Sequence, residues 1–330
     1  MGVMIDGVYR LDDELTTTDA SGNWQRAKMV LRHWVTADGS AGPTGHAGFK
    51  AESGRYHLYV AWNCPWAHRT LLARLFKGLN AHISISVALP RRTDQGWVFD
   101  AAGEFSDPLL SVRSLHEVYG MEPEPYTGRI TVPVLWDKVK KQIVSTESAD
   151  IVRMLNTAFA AVVDNDLDLY PEGLAADIDR WNDLIYATVN NGVYRAGFAS
   201  SQEAYASAAH GVFETLDLID EQLSKTRYLT GDRLTEADLR LFPTLARFDV
   251  AYYSAFKCNL RRLADYRSLW PYAREIYQIK GVAETVRFDV YKRGYFSPSK
   301  QRNPLGIVPI GPIEPELEWG KMHGRKLLEI

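Results

Sequence analysis

The stretch WNCPWAHRT, residues 62–70, holds residue types that could do thiol chemistry. Cys64 is one of two cysteines in 330 residues, and Pro65, His68 and Arg69 follow it closely. A strand is expected before it in YHLYVAW and a helix after it in PWAHRTLLARLF. Pro65 then takes the first helical position, where a missing N–H is harmless. That puts the sulfur at a helix N-terminus, where unpaired N–H groups and the helix dipole favour a thiolate. Cysteines so placed have pKa values lowered to roughly 3.5–7.5. His68 and Arg69 add positive potential if they face the sulfur, and nothing if they face solvent or the linker. The competing reading is an inert core thiol, because free cysteine is among the most buried residue types.

Two-cysteine redox proteins carry Cys-x-x-Cys at such a place. Here the run is Cys-Pro-Trp-Ala, so the resolving thiol is missing. A lone thiolate can attack a sulfur and hold a mixed disulfide, but an external thiol must clear it. That external thiol suggests glutathione, which needs an acceptor for its amino group, donors for its carboxylates and a strand for its cysteinyl amide. Val132, before Pro133 in TVP, offers the strand. Glu147 and Ser148 in ESADIV open a helix. They suit the γ-glutamyl carboxylate or simply cap that helix.

Around these residues the periodicity sets out two domains. Residues 1–54 are rich in Gly, Ser, Thr and Asp and read as an extension made of loop rather than core. From Arg55 the order is strand, helix, then the strand HISISVAL, a parallel pair with a crossover helix. A polar insert covers about 90–127. Two strands, TVPVLWD and QIVST, and the helix ESADIVRMLNTAF follow. The module 55–158 therefore has the order of a thioredoxin-like domain. Residues 159–171 read as a linker whose Pro171 can open the next helix.

From 172 to 296 the period is helical throughout. Three long amphipathic segments span 174–198, 201–224 and 235–256. Thr235 and Asp238 form a capping box, and Pro243 should bend or end the early turns of its helix. GVAETVRFDVYK reads as the last helix. The tail 297–330 carries five prolines and should wrap the surface. The fold class expected is α/β followed by all-α.

Hydrophobic residues at 46% and charged ones at 24% describe an ordinary globular chain. A net charge of −3 leaves no electrostatic footprint for nucleic acid or an anionic membrane. Two distant cysteines fit a reducing compartment rather than a disulfide framework. The opening residues lack a basic segment followed by an apolar run, and Asp6 breaks the myristoylation pattern. A cytoplasmic location and no membrane partner are the expectations.

With these pieces in place the sequence resembles the glutathionyl-hydroquinone reductases, the Xi class of glutathione transferases. The resemblance runs through nearly the whole chain. It rests on DGSAGPTGHAGFKAESGRYHLYV, CPWAHRTLLARLFKGL, YTGRITVPVLWDK, ESADIVRMLN, NNGVYRAGF, RYLTGDRLTEADLRLF, FKCN and NPLGIVPIGP, in that order. It implies a thioredoxin-like glutathione-binding domain, a helical glutathione-transferase C-terminal domain, N- and C-terminal extensions, and a homodimer. It implies an enzyme that removes glutathione from a glutathionyl-hydroquinone-like aromatic substrate and releases glutathione disulfide, with glutathione as co-substrate and no metal. By motif, Cys64 would be the nucleophile, and Trp97, Arg129, Val132, Glu147 and Ser148 would hold glutathione. Tyr194, Tyr252 and Tyr295 would line the acceptor pocket, with Tyr194 and Tyr295 in the catalytic set; phenol hydroxyls can bond quinol oxygens and protonate a leaving carbanion. With 17 tyrosines in the chain, each could also be an ordinary packing aromatic.

Departures from the family gather around that pocket. His is replaced at Ala255, Gly294 and Ser299 relative to the usual runs, and Tyr at Phe296. The expectation is a larger, less polar acceptor site that takes bulkier or less hydroxylated conjugates. The alternatives are a divergent branch cleaving other glutathionyl adducts of aromatic catabolism and a non-catalytic transferase-like binding module. Cys258, beside NLRRL, reads as a core residue.

Overall fold

In the computed structural model, residues 2–11, 18–300 and 302–325 are described. The chain divides into two units, one built from described residues within Met1–Thr16 and Ala27–Asp168, the other within Thr17–Arg26 and Leu169–Ile330.

The first unit begins with a hairpin of β1 (Val3–Ile5) and β2 (Val8–Arg10). Next comes β3 (Tyr56–Val60), buried at all five positions, as its apolar and aromatic run requires. Helix α1 (Pro65–Phe76) follows with Pro65 in its first turn. It stops at Lys77 because Gly78 turns left-handed, φ +69°, a conformation that suits a residue without Cβ. β4 (Ser84–Val87) then pairs in parallel with β3, completing the expected crossover.

The insert is more ordered than its polar composition suggests. It contains α2 (Leu115–Tyr119), closed by a capping box of Ser114 and Glu117, and β5 (Gly128–Arg129). β6 (Val134–Asp137) and β7 (Gln142–Ser145) form the second hairpin, and α3 (Ser148–Thr157) packs against α1. The main sheet has the order β4-β3-β6-β7, with β6 antiparallel to both neighbours. This is the thioredoxin-like arrangement.

The extension differs from the loop expected of it. β1 pairs with β5 as well as β2, and Val3, Met4, Val35, Phe49 and Ala51 are buried. The backbone around 31–33 runs beside β7, with His33 N–H on Val144 O at 2.8 Å and Thr146 N–H on Leu31 O at 3.0 Å. Glycines and serines turn the chain between a few apolar anchors, and those anchors close sheet edges that would otherwise be unpaired.

The second unit is helical: α4 (Ala175–Ile185), α5 (Gly192–Phe198), α6 (Gln202–Lys225), α7 (Glu236–Leu245), α8 (Tyr253–Ala255), α9 (Leu269–Tyr277), α10 (Phe288–Tyr295) and α11 (Pro315–Gly320). Pro171 precedes a 3-10 turn, Glu172–Leu174, rather than opening α4 itself. Two of the long segments expected as single helices are broken by π-helical turns, Tyr186–Asn190 and Phe248–Tyr252. The Thr235–Asp238 capping box forms as expected. Pro243 does not end α7 early; it sits near the C-terminal end of the helix, and the break comes after Leu245.

The tail is not wholly irregular. α11 is too short to show a period, and Trp319 docks it, 4.9 Å from Trp270 and 5.6 Å from Phe288 between ring centroids. So α10 is not the last helix, and the segment expected as one helix from Gly281 to Lys292 is a 3-10 turn, Ala283–Thr285, followed by α10.

Candidate active site

Cys64 stands at the N-cap of α1 with extended backbone, φ −85° and ψ 117°. Its N–H donates to Ala61 O at 2.9 Å, and its carbonyl accepts from His68 N–H at 3.0 Å, so the peptide on both sides is fixed. Asn63 Nδ2 donates to Pro90 O at 3.2 Å and ties the approach loop to the start of the insert. Cys64 as a residue is 9% exposed, and its Sγ lies 3.4 Å from Val132 O, directly before the cis Val132–Pro133 bond. Two residues singled out separately in the sequence, Cys64 and Val132, are thus in contact. His68 and Arg69 do not face solvent: both are buried, and the Arg69 guanidinium lies 4.5 Å from the Trp66 ring.

Glu147 caps α3, its Oε1 accepting from Ala149 N–H at 3.0 Å, and its own N–H donates to Ser145 Oγ at 3.1 Å. Ser148, the first residue of α3, is buried. Arg32 clamps Asp150 in the first turn of α3 with two bonds, 2.6 and 2.8 Å. The capping role weighed for Glu147 is therefore real; a carboxylate with one oxygen on a backbone N–H can still accept with the other. Arg129 lies on β5, opposite Val3, with its carbonyl held by Tyr126 OH at 3.0 Å.

Trp97 is buried in the insert, with the Arg92 guanidinium 4.7 Å from its ring and its carbonyl accepting from Leu115 N–H at 2.8 Å. The sequence gives no sign of what holds that insert in place. Asp107 does, accepting from the N–H groups of Leu109, Leu110 and Val112 at 3.1–3.2 Å and from Ser86 Oγ at 2.6 Å. Ser86 in turn meets His57 Nε2 at 2.8 Å, and His57 Nδ1 meets Ser84 Oγ at 2.7 Å. Since Ser86 gives its proton to Asp107, it accepts from Nε2–H, and His57 is the Nε2–H tautomer. Burial holds this imidazole neutral and brings its pKa down to about 4.

In the second unit three phenols form a chain. Tyr295 OH is 2.8 Å from Tyr194 OH and 3.0 Å from Tyr252 OH. Their places follow from the elements: Tyr194 on α5, Tyr252 at the end of a π-helical turn, Tyr295 at the end of α10. The π turn shifts the register by a residue and carries Tyr252 inward. Phe256 stacks on Tyr252 at 5.3 Å; a Cβ at Gly197 would come 2.3 Å from the Phe256 ring, so only glycine lets α5 approach it. From the extension, Trp24 stacks on Tyr194 at 6.0 Å, and Arg26 bonds Asn191 Oδ1 at 2.6 Å with its guanidinium 5.1 Å from the Tyr194 ring. Burial, then repulsion between the phenols, pushes Tyr252 and Tyr295 well above the usual tyrosine pKa, so both stay protonated. Arg247, fully buried, opposes that effect; a cation in the apolar run LFPTLARFDV reads from sequence as a surface position, which is why it was missed.

Cys258 is a core thiol, 0% exposed, and burial pushes its pKa up to about 12. Among the described residues no cluster of three or more His, Cys, Asp or Glu could hold a metal, and no helix is long and apolar enough to cross a membrane.

Residues 63–158 match the family described as "Glutathione S-transferase, N-terminal domain" and residues 202–277 match "Glutathione S-transferase, C-terminal domain". The chain is 50% identical over 327 residues to the glutathionyl-hydroquinone reductase YqjG of Escherichia coli (strain K12), covering 98% of each. It is 44% identical over 316 residues to the glutathionyl-hydroquinone reductase PcpF of Sphingobium chlorophenolicum, covering 96% of this chain and 97% of that one. Among solved structures, glutathione-bound YqjG of Escherichia coli K-12 superposes with a TM-score of 0.86 at 50% identity, over 89% of this chain and 95% of that one. The Xi glutathione transferase of Phanerochaete chrysosporium gives 0.84 at 44% identity, over 90% and 95%.

Proposed function

The chain belongs to the glutathionyl-hydroquinone reductases, the Xi class of glutathione transferases, and from that premise we propose that it reduces glutathionyl-hydroquinones with glutathione as co-substrate. The observation that carries the reading is Cys64 at the N-cap of α1, its sulfur against the carbonyl of Val132. A thiolate there attacks the sulfur of the conjugate. The carbon–sulfur bond breaks, its electron pair leaves with the aromatic carbon, and a proton from the Tyr194–Tyr295–Tyr252 chain completes the free hydroquinone. Cys64 is left bonded to glutathione as a mixed disulfide. A second glutathione thiolate attacks that bond, releases glutathione disulfide and restores Cys64.

In this reading Val132 offers its peptide to the cysteinyl part of glutathione, as the exposed strand end beside Cys64 suits. Glu147 and Ser148, at the positive end of α3, receive the γ-glutamyl amino and carboxylate groups. Trp97 and Arg129 complete the glutathione site, Arg129 as a cation for a carboxylate. The enzyme acts as a homodimer in the cytoplasm. The test is product stoichiometry: glutathionyl-hydroquinone and glutathione should give hydroquinone and glutathione disulfide one to one, and Cys64→Ser should abolish both. Most of the activity surviving in Cys64→Ser would place the chemistry elsewhere.

The altered positions support a second, finer reading of the acceptor. Ala255 immediately precedes Phe256, and buried Phe296 immediately follows Tyr295. A histidine and a hydroxyl missing beside the phenol chain favour bulkier, less hydroxylated conjugates; each lost hydrogen bond is worth about 0.5–1.5 kcal/mol. Restoring them with Ala255→His and Phe296→Tyr should shift kcat/KM toward plain glutathionyl-hydroquinone by about tenfold. An unchanged ratio between a plain and a bulky conjugate would sink this reading.

A further inference from the structure

We propose that Arg247 is the positioning residue of the tyrosine chain, placing Tyr252 through its backbone and holding the charge that forms when the chain gives up a proton. The inference rests on the reductase reading above. Arg247 is 0% exposed, a rare state for a cation. Its Nη1 donates to Pro243 O at 2.7 Å, and its guanidinium lies 3.9 Å from the centre of the Tyr291 ring. Tyr291 and Tyr295 stand four residues apart on α10 and so share a face; one stacks on the cation while the other joins the phenol chain. Arg247 O accepts from Ala251 N–H at 2.9 Å, an α-type bond, and from Tyr252 N–H at 3.2 Å, the wider bond of the π-helical turn.

The chemistry calls for such a charge. When one phenol protonates the leaving aromatic carbon, the negative charge it acquires spreads along the chain through the two hydroxyl contacts. In a buried, weakly polarisable setting that anion is costly unless a fixed cation faces it. Burial alone would drive Arg247 toward neutrality. A guanidinium nonetheless keeps its proton in a protein, so the cation persists beside the Tyr291 ring. A cation stacked on Tyr291, one helical turn from Tyr295 on the same face of α10, is placed to steady charge on the hydroxyl chain.

The experiment separates these roles by following two steps. Arg247→Met and Arg247→Gln remove the charge, and Arg247→Lys keeps it. In single turnover, hydroquinone release from glutathionyl-hydroquinone should fall roughly 10- to 100-fold in the neutral variants, within what general acid catalysis supplies. The rate at which oxidised glutathione modifies Cys64 should stay within about twofold of wild type, and Arg247→Lys, which keeps a cationic group without the planar stack, should lose less than Arg247→Met. Release within twofold of wild type in a neutral variant, equal losses in both steps, or no advantage of Lys over Met would each overturn the proposal. Failure of both neutral variants to fold would assign Arg247 to the core and overturn it too. A wild-type protein that releases no hydroquinone would remove the reductase reading first, and this one with it.

Discussion

The two cysteines of the chain lie in opposite surroundings. Cys64 has a helix N-terminus behind its sulfur, and Cys258 has only apolar burial. Alkylation should therefore report Cys64 alone, with an inflection in rate against pH clearly below the ordinary thiol value of about 8.5. An inflection at or above that value would show that the helix end does not activate it. Glu147 sits between two roles in the same way. Its loss removes a cap, worth about 1 kcal/mol and a few degrees of melting temperature. If it also holds the glutathione amino group, Glu147→Ala should raise the KM for glutathione about 10- to 100-fold, the value of a charged hydrogen bond. A KM within twofold of wild type together with the full stability loss would leave Glu147 a cap only.

Elements carry the polar network that steadies the insert. Ser84, His57, Ser86 and Asp107 link β4, β3 and the insert, and the insert holds Trp97. His57 is neutral when folded, with a pKa near 4 against about 6.5 in the unfolded chain. The unfolded state takes up the proton first on acidification. The stability this group contributes is therefore complete above about pH 6.5 and is lost as pH falls toward 4. Relative to His57→Gln, the wild type should lose on the order of 2 kcal/mol between pH 7 and pH 5; a constant gap would place His57 outside the linkage. Which elements were legible follows from their periods. β3, α1, β4, β6, β7 and α3 announce themselves by alternation, helical spacing and Pro65 or Gly78. The β1–β2 hairpin does not, because each strand has three residues and its partner β5 lies more than a hundred residues away. The π turns are hidden as well, since one inserted residue leaves the apolar stripe almost intact.

At the scale of the whole chain, the two matched family domains and the two structural units describe the same division into a thioredoxin-like part and a helical part. The thiol and its helix were readable from nine residues, because one cysteine, one proline and one strand fix the geometry. The surroundings of the phenol chain were not. Trp24 and Arg26 reach Tyr194 from more than 160 residues away, and Arg247 hides in an apolar run. Every step proposed for this enzyme takes glutathione through Cys64. Mixing the protein with glutathionyl-hydroquinone in the absence of free glutathione, quenching, and weighing the protein and its peptides tests this most directly. One hydroquinone should be released per chain, with one glutathionyl group bound to Cys64 and none to Cys258, and turnover should resume only when glutathione is added. Hydroquinone released repeatedly without glutathione, or released while Cys64 stays unmodified, would contradict that route.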